Sequence, residues 1–344
     1  MNLELTNKTV VVTGGSGYVA GWMIVGLLQR GYRVRTTVRN LASEGAVRQS
    51  ISGQCDPGDR LSFFAADLFQ DAGWSRAMEG CDFVIHVASP MGQGAPKGTD
   101  LITPARDGTL RILKAAAAAG IQRVVITSSV AAAQNTLPAG SQNPVETDET
   151  MWTDAKDAGD YVRSKTLAER AAWEFIDQDK SGLTLVSILP GMILGPVMTS
   201  KVSGSVEIIS RMLTGRMAAV PRLGFSIVDV RDLVDLHLSA MLSPAAAGQR
   251  FIASSSFLWL SDMVDILRGH SGMPAEKLPR RRLPDVVLRL AALFNAEAKF
   301  MAPLLGRESR YSHAKAAALL DWHPRAAADT VTACAESLVA RGVV

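Results

Sequence analysis

The stretch Thr9-Val10-Val11-Val12-Thr13-Gly14-Gly15-Ser16-Gly17-Tyr18-Val19-Ala20 decides the fold. A β-branched run enters a glycine cluster, and an apolar-striped helix over residues 17–30 leaves it. Thr9 to Thr13 reads as a buried strand. The glycines allow a tight turn and let the backbone approach a pyrophosphate, to which the helix N-terminus offers free N–H groups and a positive dipole end. The spacing is GxxGxxA rather than GxGxxG, with Gly21 after the alanine. Gly14, Ser16, Gly17, Tyr18 and Val19 are therefore candidate cofactor contacts.

Working outward, short β-branched runs alternate with helical patterns. Further strands are predicted over Arg33–Val38, Leu61–Ala65, Phe83–Val87, Arg123–Thr127 and Thr184–Leu189, with helices over 100–119 and 161–179. Such alternation predicts βαβ units and a doubly wound parallel sheet, the Rossmann layout of an α/β protein. After Pro190 the alternation blurs. Residues 1–190 are read as the dinucleotide-binding domain. Residues 191–344 are read as a smaller, mixed substrate-binding part with some segments returning to the sheet.

Composition narrows the classes. The 344 residues are 47% hydrophobic and 20% charged, ordinary for a globular enzyme. A net charge of +3 is too small for a nucleic-acid footprint. The run Arg280-Arg281-Arg282 reads as a solvated loop. Three scattered cysteines and five histidines without metal spacing imply free thiols, a reducing compartment and no metal. No leader is visible and no segment is apolar enough to span a membrane, so the cytoplasm and no membrane partner are expected. The nearest segment, 286–305, reads as an amphipathic helix broken near Pro303. It packs on the body or covers a site, and Phe294, Phe300 and Met301 are candidates for an apolar pocket. Methionines 192, 198, 212 and 217 suit either an adaptable pocket or core filling.

The second predicted strand ends in Thr36-Thr37-Val38-Arg39-Asn40. Arg39 is a cation where a carboxylate would bind ribose hydroxyls, and a guanidinium suits a 2′-phosphate. That points to NADPH, with Arg48 as a second charge. Asp67, in Ala66-Asp67-Leu68 after the third strand, is a candidate for the adenine amino group.

Tyr161-Val162-Arg163-Ser164-Lys165 puts a phenol and an amine one helical turn apart. A carbonyl accepting hydride must be protonated. Tyrosine, with an unperturbed pKa near 10, needs a neighbouring cation to lower it. The third partner is a hydroxyl at the end of the fifth strand, either Ser128 or Ser129, with Ser129 favoured.

Together these residues resemble the extended short-chain dehydrogenase/reductase family, in the branch of dihydroflavonol reductases, cinnamoyl-CoA reductases and microbial aldehyde and ketone reductases. Thr36–Arg39, His86–Pro90, Thr127–Ser129, Tyr161–Phe175, Pro190–Pro196 and Val228–Leu233 carry the likeness, over roughly residues 7–255. It implies an NADPH-dependent carbonyl reductase, with Tyr161 as proton donor, Lys165 tuning it and holding ribose, and Ser129 steadying the oxygen. It also implies cofactor contacts at Leu68, Val87, Ala88, Ser89, Thr127, Pro190 and Gly191. Substrate contacts are implied at Pro90, Ser129, Gln134 and Met192. The partner is a small carbonyl compound, and the assembly a monomer or homodimer. Gln134 stands where the flavonoid enzymes carry asparagine, and the CoA-branch signature is not evident. The rival readings are a sugar-nucleotide epimerase or dehydratase, a sterol dehydrogenase, and a cofactor sensor without turnover.

Overall fold

A computed structural model describes residues 8–90, 101–134, 146–156 and 158–344, with the backbone alone for Ala296 and Glu297. Twelve strands lie among these residues: β1 (Thr9–Val12), β2 (Arg33–Val38), β3 (Leu61–Ala65), β4 (Phe83–His86), β5 (Arg123–Thr127), β6 (Thr184–Pro190), β7 (Met192–Leu194), β8 (Ala219–Pro221), β9 (Gly224–Asp229), β10 (Arg250–Ala253), β11 (Phe257–Trp259) and β12 (Arg281–Leu283). The helices are α1 (Tyr18–Gln29), α2 (Glu44–Ser52), α3 (Trp74–Met78), α4 (Ile102–Ala118), α5 (Asp160–Gln178), α6 (Val206–Leu213), α7 (Val230–Leu242), α8 (Leu260–Gly269), α9 (Asp285–Ala291), α10 (Ala296–Met301), α11 (Ala314–Leu320) and α12 (Ala327–Ala340).

Seven strands form one parallel sheet in the order β10-β6-β5-β4-β1-β2-β3. The order reverses between β1 and β4, which opens the crevice where doubly wound folds bind ligands. Both faces are covered, so the strands read as continuous apolar runs. Their side chains still alternate. Val10 and Val12 pack with Met23, Ile24 and Leu27 of α1 and Leu233 of α7. Val11 points the other way, with Trp74, Ile112 of α4 and Ala172 of α5. β10 arrives late in the chain and extends the sheet beside β6.

A second core lies beyond the sheet. It joins α6, α8 and α12 to the three-stranded sheet β11-β9-β7 through Leu194, Ile209, Met212, Ile227, Met263 and Val331. Met212 is therefore core filler, and Met198 packs in the first core beside Gly21. The 286–305 segment is two helices, not one: α10 ends at Met301, beside Pro303 as expected, and a further break falls between Ala291 and Asn295. Asn295 accepts from the Ala298 amide and caps α10, while Pro303 sits in a following 3-10 turn. No helix among the described residues is long and apolar enough to cross a membrane.

Candidate active site

The crevice is built from the exit of β1. Gly14 has φ +76°, and a Cβ there would lie 3.0 Å from the Ala88 Cβ. At Gly15 a Cβ would fall 2.2 Å from Thr36 Oγ1, so only glycine lets the turn pass β2. The Gly14 amide donates to Thr37 Oγ1 (3.1 Å) and the Gly15 amide to the Thr37 carbonyl (2.8 Å). Ser16 and Gly17 are exposed, and no side chain caps α1 at Gly17. Its first amides face the crevice mouth as a ready anion site. The Tyr18 side chain turns away from the turn and packs against the second core, where its hydroxyl is buried. Val19 packs on the first core. Both therefore meet the crevice through backbone.

Thr13 links the two strands at the switch point. Its Oγ1 accepts from the Val87 and Ala88 amides (3.1 and 3.0 Å), so its own hydrogen goes to His86 Nδ1 at 2.8 Å. His86 is fully enclosed and neutral. Burial, helped by repulsion from Lys165, pushes its pKa down to about 3.

Arg39 is exposed at the end of β2 and makes no hydrogen bond or ion pair among the described residues. Arg48 does not join it. Its guanidinium donates to the Leu61 and Gly58 carbonyls, pairs with Glu44 at 3.2 Å and lies over Phe63. Glu44 and the Gly58 and Leu61 carbonyls hold it in place. Asp67 Oδ1 accepts from the Phe69 amide, and Leu68 is buried against Gly108 of α4.

A narrow cleft runs between the exits of β4 and β5 and helix α5. Ala88, Ser89, Pro90, Thr127 and Lys165 line it together with His86. The Thr127 hydroxyl is committed to His237. His237 Nδ1 must donate to the Leu233 carbonyl (2.8 Å), which leaves Nε2 to accept from Thr127 at 2.8 Å. Burial lowers the His237 pKa to about 4.

The two serines separate here. Ser129 Oγ accepts from the Tyr161 hydroxyl at 3.3 Å, whereas Ser128 Oγ donates to Glu169 at 2.6 Å. Strand alternation at the end of β5 sends neighbouring side chains to opposite sides. Tyr161 opens α5, with Lys165 one turn on and Glu169 one turn further. Burial pushes the Tyr161 pKa up, opposed by the Ser129 hydrogen bond. The lowering expected from Lys165 does not appear: burial comes first, and the Ser129 hydrogen bond opposes it. Burial also lowers Lys165 to about 8, while Glu169 works to keep it charged. Phe300 of α10 stands edge-on to the Tyr161 ring, with centroids 6.1 Å apart. Phe294 does not line a pocket, being 92% exposed.

Behind α5 lies a polar cluster absent from the sequence reading. Glu169 is 1% exposed. It accepts from Ser128, from Ser187 of β6 (2.6 Å) and from Arg250 Nε of β10 (2.8 Å). Arg250 also donates to the Glu149 and Met151 carbonyls and stacks 3.7 Å from the Trp152 ring. The Tyr-Lys spacing continued to Glu169 was a signal within reach. Arg250 gave none, since a lone arginine starting a four-residue strand looks exposed.

The remaining predicted contacts scatter. Pro190 ends β6 opposite Ala253, and the Gly191 amide donates to the Ala253 carbonyl. Met192 begins β7 inside the second core. The Gln134 amide donates to Thr153 Oγ1, and its side chain hydrogen-bonds Tyr311.

A parallel sheet with a glycine turn at its switch point defines a dinucleotide-binding protein of the Rossmann class. The chain belongs to the NAD dependent epimerase/dehydratase family, whose model matches residues 10–252. Among its relatives are the cinnamoyl-CoA reductase CAD2 of Medicago truncatula and the dihydroflavonol 4-reductase of Zea mays. The first is 34% identical over 292 residues, 83% of this chain and 85% of that protein. The second is also 34% identical, over 285 residues, 79% of this chain and 76% of that protein. In fold it is similar to yeast methylglyoxal/isovaleraldehyde reductase Gre2, solved in complex with NADPH. That likeness has a TM-score of 0.78 at 23% identity and covers 98% of this chain and all of that one.

Proposed function

We propose that this chain is an NADPH-dependent reductase that converts an aldehyde or ketone to an alcohol, reversibly, on a bulky apolar or aromatic substrate. The observation that carries the reading is the Tyr161–Ser129 contact at 3.3 Å with Lys165 one turn along the same helix. The reductase names of the relatives at 34% identity support the reaction class.

The residues present fit the cofactor. The uncapped α1 N-terminus and the turn past Gly14, Ser16 and Gly17 suit a pyrophosphate. Arg39 suits a 2′-phosphate, which also argues against an NAD-bound epimerase. Asp67, Leu68, Val87, Ala88 and Ser89 are the proposed contacts along the rest of the cofactor, Ala88 and Ser89 lining the cleft, and Thr127, Pro190 and Gly191 would take the nicotinamide side. When bound, the cofactor supplies the hydride that reaches the carbonyl carbon. The chain's own part is the proton. Ser129 Oγ donates to the carbonyl oxygen and holds it beside Tyr161. As negative charge grows on that oxygen, the Tyr161 hydroxyl transfers its proton, giving the alcohol. The Lys165 ammonium stabilises the phenolate left behind. Pro90, Gln134 and Met192 are the proposed substrate contacts. Beyond Phe300, Met301 lines an apolar cavity of about 390 Å³ with Met217, Leu223, Phe225 and Leu260, which supports an apolar substrate.

The test is oxidation of NADPH and NADH by the purified chain across aldehydes, aryl ketones, diketones and a dihydroflavonol. Carbonyl-dependent oxidation that prefers NADPH and vanishes in Tyr161→Phe is the expected result. No oxidation with any of them, and NAD retained through purification, would return the reading to an epimerase or a sensor.

A further inference from the structure

We infer that the outer face of α9–α10 is a docking surface for a membrane rich in anionic phospholipid headgroups. Among the described residues, six of the eleven exposed large hydrophobic side chains fall between positions 286 and 300. Five of them, Val286, Val287, Leu290, Leu293 and Phe294, lie on α9 and the turn after it, and Phe294 is 92% exposed. The inner face of the same helices is spent elsewhere. Leu288, Ala291, Ala298 and Met301 line the apolar cavity, and Leu288 and Ala298 belong to the second core. The outer residues therefore do not serve the fold, and a contiguous apolar patch of this kind marks a contact surface.

Charge selects the occupant. The segment 280–299 holds Arg280, Arg281, Arg282, Arg289 and Lys299 against Asp285 and Glu297. Its formal excess of three equals that of the whole chain. All five cations are exposed, and Asp285 is already paired with Arg222 at 2.5 Å. A second copy of this chain meeting the patch symmetrically would set that cation cluster against itself. An anionic headgroup layer accepts both features at once: cations at the phosphate level and Leu293 and Phe294 below it. The expectation of no membrane partner rested on spanning segments, and adsorption needs none. The basic run that reads as a solvated loop is then the charged rim of this face. If the reductase reading holds, an apolar carbonyl compound carried in the lipid would arrive at helices that also wall the cavity. The surface itself does not depend on that reading.

The experiment is co-sedimentation of the purified full chain with phosphatidylcholine vesicles, with and without phosphatidylserine, at low and high salt. Binding should need phosphatidylserine and fall with salt. Arg281→Ala and Arg282→Ala should each weaken it about fivefold. Leu293→Glu/Phe294→Glu should abolish it while leaving the thermal midpoint and turnover of a water-soluble aldehyde unchanged. Absence of binding to the anionic vesicles, or binding indifferent to both sets of variants, overturns the proposal. So does light scattering that shows a dimer dissociated by Leu293→Glu/Phe294→Glu. Vesicle binding by a chain that reduces no carbonyl would remove the reductase reading and leave the surface, and the reverse outcome would remove only the surface.

Discussion

Helix α5 and the α9–α10 pair both border the crevice region, yet they are held by opposite means. The inner side of α5 rests on a buried carboxylate that gathers two serines and an arginine from β5, β6 and β10. The inner side of α9–α10 rests mainly on apolar contacts, and its outer side is exposed. Hydrogen bonds and ion pairs are directional and fix a position to fractions of an ångström. Apolar packing fixes volume and tolerates exchange. The wall that carries Tyr161 beside Ser129 has the directional support, and the wall that lines the apolar cavity has the tolerant one.

The sharpest way to break this contrast is at α5. Tyr161→Phe should cost about 10²–10⁴ in kcat with the thermal midpoint unchanged, because it removes a proton donor and little packing. Steady-state kinetics beside thermal unfolding separates the two. Glu169→Gln strands the Arg250 guanidinium in the interior and should destabilise by about 3–5 kcal/mol, read by denaturant unfolding. With the carboxylate gone, Lys165 loses the group that raises its pKa, and the fall in rate above pH about 8, where its charge is lost, should move to lower pH. A purely structural role for Glu169 would leave that limb where it is. Arg39→Ala should raise the NADPH KM about 10–100-fold and leave that for NADH nearly unchanged, the worth of charge-assisted hydrogen bonds to one phosphate.

Acid probes the buried histidines. Unfolded histidine takes up its proton near pH 6.5, whereas folded His237 resists to about 4 and His86 to about 3. The unfolded state thus binds more protons in that window, so stability should fall as pH drops below 6.5. In His237→Gln the slope of thermal midpoint against pH should flatten. The smallest effect sharpens the other wall. Leu290→Ala, on the exposed side of α9, should change stability by no more than about 0.5 kcal/mol. Leu288→Ala, two residues away on the inner side, should cost roughly 2–5 kcal/mol.

Legibility follows the same divide. β5 lies where its β-branched run places it, since a parallel strand buried on both faces leaves an unbroken apolar stretch, and β2 and β3 keep their expected bounds although both carry exposed positions. Tyr161, Lys165 and Ser129 were readable because the first two obey helix spacing and the serine follows a strand end. β10 was not, because four residues beginning with arginine carry no period. The Glu169–Arg250 pair was not either. Its halves are 81 residues apart and each alone reads as a surface charge. The break at Asn295 was missed because a capping asparagine is silent until the local backbone is known.

That separation has a consequence during synthesis. The ribosome emits Glu169, in α5, 81 residues before Arg250. At cellular elongation rates the gap lasts roughly 4–16 s. Through that interval the nascent sheet lacks its last strand, and its central carboxylate has no cation to meet. The Rossmann core therefore cannot close behind the exit tunnel in one vectorial sweep. It waits for a strand translated long after the cofactor crevice, which makes completion of the seven-stranded sheet and of the support behind α5 a single late event.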